Sequence, residues 1–239
     1  MKKSTALMTT AALTALYFGG SQVYAAETEP SATVSKGTSE NKINFIAGED
    51  IITPPVDPTD PEKPVDPEKP IDPTDPENPG TGEEGPLSID YISNLKFGEH
   101  QISGKNIAYK ALNQNPFVQV TDVRGAGDGW SLSAKMTEFT NDDKVLKGAT
   151  LSMKDSVVKA GSISNISAPP VKSDVVFTNQ ESQLIMNAKD KAGRGTWLNV
   201  WSGTDQANEA IQLNVIAGTP EVDTEYTSSI TWELEDAPK

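Results

Sequence analysis

Over its last stretch the chain alternates. Tyr226, Ser228, Ile230, Trp232 and Leu234 fall on one side, and Thr227, Ser229, Thr231 and Glu233 on the other. Successive side chains of a strand point to opposite faces, so this alternation predicts a half-buried β-strand, rich in β-branched and aromatic residues. Asp236, Ala237 and Pro238 stop it. An earlier segment repeats the device, with Trp130, Leu132, Ala134 and Met136 on one face and Ser131, Ser133, Lys135 and Thr137 on the other. Two strands far apart in sequence therefore share a Trp-x-Leu tripeptide, Trp130-Ser-Leu132 and Trp232-Glu-Leu234.

The same texture fills the chain from Leu87 onward. Strands are predicted at Leu87–Phe97, Ile107–Leu112, Phe117–Val123, Trp130–Thr137, Ala149–Lys154, Asp174–Thr178, Gln183–Ala188, Gly195–Ser202, Ala210–Ile216 and Tyr226–Leu234. Turn clusters such as Gly125-Ala-Gly127, Asn141-Asp-Asp143, Ala168-Pro-Pro170 and Gly203-Thr-Asp205 separate them. No segment sustains a helical period. Many short strands with regular turns predict an all-β domain over residues 87–239, a β-sandwich of Ig-like or related Greek-key type.

Upstream the pattern changes. Residues 50–86 hold a degenerate repeat: Val56-Asp-Pro-Thr-Asp-Pro-Glu-Lys-Pro64, Val65-Asp-Pro-Glu-Lys-Pro70 and Ile71-Asp-Pro-Thr-Asp-Pro-Glu-Asn-Pro79. Proline fixes φ and pushes its predecessor toward extended conformations, so polyproline II is expected, with a reach on the order of 80 Å. Twelve Asp or Glu against two Lys between Gly48 and Pro86 stiffen it further. An acidic Pro-rich spacer of this kind buries little apolar surface, so the domain from Leu87 is expected to fold without it. Residues 26–49 form a short polar segment in which Lys42-Ile-Asn-Phe-Ile-Ala47 either makes a short strand or stays loose. Residues 1–25 read as a secretory signal peptide: Lys2 and Lys3, an apolar run from Ala6 to Phe18, then Val23-Tyr-Ala25 with small residues at the cleavage positions. That run is too short for a comfortable membrane span.

Composition narrows the chemistry. The net charge of -14 argues against nucleic acid, which calls for a basic face. There are no cysteines, as fits an exported protein that needs no disulfides. One histidine, His100, in a predicted turn, and no Cys leave little for zinc or a His-based nucleophilic triad, so no cofactor or metal is expected. Asp122, Asp128, Asp142 and Asp143 are the carboxylates that a glycoside hydrolase would need, but Asp is an ordinary turn residue and these read first as surface turns. Asp142-Asp143 lacks the spacing of an EF-hand loop.

The tryptophans are more informative. Trp130 and Trp232 share their faces with Leu, Ile and Met, as core residues do; alternatively, with Leu132 and Leu234, they line an apolar groove for a wall polymer or a protein segment. Both hold if the two tripeptides lie side by side near a sheet edge and build one site, and the two Trp rings are then expected within reach of stacked or edge-to-face contact. In Gly195–Ser202, Trp197, Asn199 and Trp201 take one face and Leu198 and Val200 the other. Facing solvent, Trp197, Asn199 and Trp201 would make a sugar-stacking platform; buried, they would be core.

The two tripeptides occur with Val120-Thr-Asp-Val-Arg-Gly125 just before Gly129-Trp130, then Phe139-Thr-Asn141, Leu146-Lys-Gly-Ala-Thr-Leu151, Gly195-Thr-Trp197 and a final Ala237-Pro238. This ordered set resembles the WxL family, cell-surface proteins of low-GC Gram-positive bacteria, over nearly the whole chain. The resemblance implies non-covalent attachment to peptidoglycan through the C-terminal domain, and membership of complexes with other surface proteins. No sortase-type motif or apolar tail follows Pro238-Lys239, so the folded domain itself is the expected anchor. The expected protein is thus secreted, non-enzymatic and held at the cell wall. In the rival reading it is a protein-interaction subunit whose partner provides the wall attachment. A wall glycan hydrolase is a weaker third reading.

Overall fold

The computed structural model describes residues 35–63, 65, 69–178 and 180–236. The expected signal peptide and the Ala237-Pro238 ending lie outside them. Met1–Ile43 forms a unit of its own, of which residues 35–43 are exposed and without regular structure. From Asn44 the chain forms a second compact unit. At the start of that unit Phe45 and Ile46 are exposed and make no strand, so of the two outcomes for Lys42–Ala47 the segment takes the loose one.

The second unit is all-β. In chain order its strands are β1 (Leu87–Ile92), β2 (Ile107–Ala111), β3 (Phe117–Asp122), β4 (Trp130–Met136), β5 (Thr140–Asn141), β6 (Lys144–Val145), β7 (Thr150–Met153), β8 (Val157–Ala160), β9 (Val171–Lys172), β10 (Val175–Phe177), β11 (Gln183–Ala188), β12 (Gly195–Val200), β13 (Asn208–Val215) and β14 (Ile230–Asp236). They form three four-stranded antiparallel sheets, β1-β3-β12-β8, β10-β7-β13-β2 and β14-β4-β11-β9, and the small hairpin β5-β6. The sheets pack as a β-sandwich around one core. Among the described residues no helix is long and apolar enough to cross a membrane.

Each strand expected from alternation is present, most of them trimmed at an end. The last is the most altered: it runs Ile230–Asp236, and Thr227 makes only an isolated bridge to Thr140. Alternation also sets the facing. In β4 the burial follows the period, with Trp130, Leu132, Ala134 and Met136 inside and Lys135 exposed. Strands β7 and β13 supply Leu151, Met153, Ile211 and Leu213 to the interior in the same way.

Strand β3 departs from alternation, because all six of its residues are buried. Val118 and Val120 face the core. Phe117 points the other way, with Tyr91, Leu198 and Val200, into a separate apolar cluster against which Val56 and Ile71 pack. The acidic Pro-rich repeat is therefore not a stand-off spacer in this structure. Its described residues form no helix, as the prolines require, and Val56 and Ile71 lie against the sandwich. The physical reason is the single apolar residue that opens the first and third repeats, Val56 and Ile71, which a reading weighted by Pro and Asp overlooks.

Candidate binding surface

The two Trp-x-Leu strands lie side by side. Strand β14 pairs antiparallel with β4, and the register sets Leu234 opposite Leu132, Trp232 opposite Ala134 and Asp236 opposite Trp130. Opposed residues share a face. Both tripeptides therefore point the same way and overlap at their leucines, while the two tryptophans sit at opposite ends of the overlap. At that offset the rings do not stack on one another.

Their surroundings differ. Strand β4 lies between β14 and β11, and Trp130 and Leu132 are fully buried. The Trp130 indole N–H donates to the Gly193 carbonyl at 3.1 Å. Two glycines make its slot. Gly129 has φ near 80°, and a Cβ there would run into the Ala188 carbonyl; at Gly193 a Cβ would come within 2.6 Å of the Trp130 indole nitrogen. Only glycine meets both demands, of positive φ and of space. Strand β14, in contrast, is the edge of its sheet. Its Ile230, Trp232 and Leu234 are half-buried against the core, and Thr231, Glu233, Glu235 and Asp236 are exposed.

One guanidinium ties these elements together. Arg124 donates from Nε to Asp122 Oδ1 at 3.0 Å and from Nη2 to Asp122 Oδ2 at 2.9 Å, a bidentate pair with a buried carboxylate. Nη2 also donates to the Gly129 carbonyl at 2.7 Å, and Nη1 to Asp236 at the end of β14. The hydrogen bonds to Asp122, more than the nearby charges, raise the guanidinium pKa further. Arg124 thus links β3, the residue before Trp130 and the end of the second signature strand. In the sequence this arginine belongs to the Val120–Gly125 signature, where nothing but its spacing from Asp122 marks it. The signal was available in Asp122-x-Arg124, whose partners two apart share one side of an extended segment.

Trp197 of β12 and Trp201 just after it are core. Trp197, Asn199 and Trp201 are 4 %, 0 % and 1 % exposed, which corrects the solvent-facing platform. They face inward because the apolar pair on the other side, Leu198 and Val200, is itself covered by the proline-rich segment. The Trp197 indole N–H donates to the Arg194 carbonyl at 3.0 Å. Neither amide atom of Asn199 and not the indole nitrogen of Trp201 has a hydrogen-bond partner.

Of the residues predicted for a site, the fold brings Trp201 and Trp232 to one place. They line a crevice of about 10 Å³ together with Leu95, Phe117, Met153 and Ile230, where β14 meets the body of the sandwich. Such a space holds about one water-sized group. Its lining is apolar apart from Ser93 and the polar N–H groups that the two indoles carry. Leu234 continues the half-exposed stripe along β14, whereas Trp130 and Leu132 are buried on the neighbouring strand.

The carboxylates proposed for hydrolysis are not gathered. Asp122 is paired with Arg124, Asp128 is exposed in the loop before β4, and Asp142 and Asp143 are exposed in the turn between β5 and β6, Asp142 with φ near 48°. His100 lies outside the crevice, stacked on Tyr109 with ring centroids 4.2 Å apart.

Comparison with known proteins agrees with the pattern of signatures. No curated protein and no solved structure matches the chain. The family model described as "WxL domain surface cell wall-binding" matches residues 32–238, taking in both Trp-x-Leu strands, the Arg124 clamp and the proline-rich segment. The chain belongs to the WxL family of cell-surface, cell-wall-binding domains.

Proposed function

We propose that this protein is exported through the signal peptide at residues 1–25, and that its folded domain holds it non-covalently on peptidoglycan, where it catalyses no reaction. The observation that carries the reading is the family match, which spans the fold from before the proline-rich segment to the last strand. The geometry supports β14 as the contacting element. Its Trp232 and Leu234 are the signature side chains that reach the surface, with exposed Asp236 on the same face and Thr231, Glu233 and Glu235 exposed on the other. An aromatic ring at a polar rim suits a wall polymer, whose sugars offer flat apolar faces and hydroxyl edges. Trp130, Leu132, Trp197, Asn199 and Trp201 act from inside, by fixing the strand on which Trp232 and Leu234 stand.

The test is co-sedimentation of the purified mature chain with peptidoglycan stripped of all protein. Pelleting with the wall, and release by concentrated lithium chloride, is the expected result. Failure to pellet overturns direct attachment.

One observation favours a second reading. Strand β14 is a sheet edge, and an edge presents unpaired backbone groups to which another chain can add a strand. In that reading a partner surface protein binds β14 and supplies the wall attachment. Pelleting that appears only when the partner is added would select it.

A further inference from the structure

The sheet β1-β3-β12-β8 has two buried faces but only one turned toward the core. On its outer face Tyr91 and Phe117 stack with centroids 4.5 Å apart, and Leu198 and Val200 complete an apolar patch. What covers this patch is the chain's own repeat, and it does so twice with the same chemistry. Val56 and Ile71, the apolar residues opening the first and third repeats, both pack on the patch. Each is followed by Asp-Pro-Thr. In the first, Asp57 Oδ1 accepts from the Thr59 amide at 2.8 Å and from its hydroxyl at 2.6 Å. In the third, Asp72 Oδ1 accepts from the Thr74 amide at 2.8 Å and from its hydroxyl at 2.7 Å. Both are Asp-initiated turns closing just after an apolar anchor. The second repeat, Val65-Asp-Pro-Glu68, carries Glu where the others carry Thr.

The sheet also reads the backbone of the segment. Gln119, buried on β3, accepts from the Val56 amide at 2.9 Å and donates to the Pro54 carbonyl at 3.1 Å, so one side-chain amide pairs both backbone groups as a neighbouring strand would. Gln119 is oriented in turn by Asp90, which accepts from its Nε2 at 2.9 Å. Lys159 on β8 donates to the Pro58 carbonyl at 2.6 Å. Asn113 donates to the second oxygen of Asp72 at 2.7 Å. Apolar sockets for alternate anchors, side-chain hydrogen bonds to an extended backbone and a proline-stiffened ligand are the ingredients of peptide recognition.

We propose that the outer face of this sheet is a peptide-binding site for extended segments of the form apolar-Asp-Pro-Thr. It is filled in cis by residues 54–60 and 71–75 and can take the same segment in trans once the cis copy is displaced. The repeat is then the ligand of its own domain, and its two Thr-bearing copies are the two clasps.

The test uses the full mature chain. Hydrogen exchange should protect the amide of Val56 in the wild type, together with that of Thr81, which donates to the Asp90 carbonyl at 3.0 Å. Exchange of both at coil rates would overturn the proposal. In the double variant Val56→Asp with Ile71→Asp, this protection is lost while β4 and β7 stay protected. A labelled synthetic peptide of residues 54–75 then binds that variant in fluorescence anisotropy, and a scrambled peptide of the same composition does not. No binding, or equal binding of both peptides, contradicts the assignment. Should the double variant fail to fold, Thr59→Val with Thr74→Val keeps both apolar anchors and removes the hydroxyl bonds of the two turns. It should speed exchange of the Val56 amide about tenfold with the core unchanged, and an unchanged rate would equally overturn the proposal.

Discussion

Strands β4 and β14 carry the same tripeptide in neighbouring positions and differ in almost everything else. In β4 the Trp and Leu are sealed between two sheet neighbours, and the indole N–H is satisfied by a backbone carbonyl. In β14 they stand at an edge, half-exposed, with a row of polar residues beside them. The lesson is that the motif is not one device used twice. Trp-x-Leu at period two makes a strand with one apolar face, and the place of that strand in the sheet decides whether the face is core or surface.

The comparison breaks most visibly at Trp130. Trp130→Ala removes a fully buried ring and leaves the Gly193 carbonyl without its donor, so we expect a loss of about 3–5 kcal/mol. Against a whole-domain stability of roughly 5–15 kcal/mol this leaves a marginal fold. Urea denaturation measures it, and a loss below about 1 kcal/mol would contradict a core role for Trp130.

Next is Arg124→Ala, which severs the link between the two strands and strands the Asp122 carboxylate in the interior. Breaking a buried pair by removing one partner costs about 3 kcal/mol or more. The same denaturation experiment applies, and Asp122→Asn with Arg124→Ala should recover part of the loss because no buried charge is left alone. Equal costs for the single and double variants would contradict the clamp.

Trp232→Ala should cost less than Trp130→Ala, about 1.5–3 kcal/mol, because part of the ring already meets water. Ranking the two by denaturation sharpens the comparison directly, and a reversed order would undo it.

The smallest effect lies away from both strands, at Asp90. Burial raises its pKa above the ordinary carboxylate value despite hydrogen bonds from Ser88, Thr121 and Gln119. The folded state then holds this proton more tightly than the unfolded chain. Its contribution is fully present below the unfolded pKa and is lost as pH rises through the folded one. Lowering pH from about 7 to about 4 should therefore raise the wild-type melting temperature relative to Asp90→Asn, since only the wild type gains the relief. A difference that moves the other way would contradict the sign.

Much of this fold was legible because most strands keep one wet side. Alternation placed β4, β7, β11, β13 and β14 within a few residues, and it predicted that both tripeptides share a face type. It failed where both sides are dry. In β12 the two faces hold Trp197, Asn199, Trp201 and Leu198, Val200, and period two cannot say which is inside when the proline-rich segment covers the other. It failed also where strands are too short to show a period, as in the β5-β6 hairpin, whose Asn141-Asp-Asp143 read only as a turn. Val157-Val-Lys-Ala160, which forms β8, opens with two adjacent valines, so its alternation is too weak to read. The shared signature pointed to neighbouring strands, as β4 and β14 are, but the register that sets Leu132 beside Leu234 and keeps the two Trp rings apart is encoded by no local pattern. The crevice at Trp201 and Trp232 follows from that pairing and was equally hidden.

The central claim is that the edge tripeptide meets the wall while the central one holds the fold. The direct measurement is co-sedimentation with protein-free peptidoglycan of three chains: wild type, Trp232→Ala, and Leu213→Ala, a core truncation on β13 away from both tripeptides. Each is assayed where circular dichroism shows it folded. The account predicts that wild type and Leu213→Ala pellet alike and that Trp232→Ala stays in the supernatant. Equal retention of Trp232→Ala and wild type would contradict it.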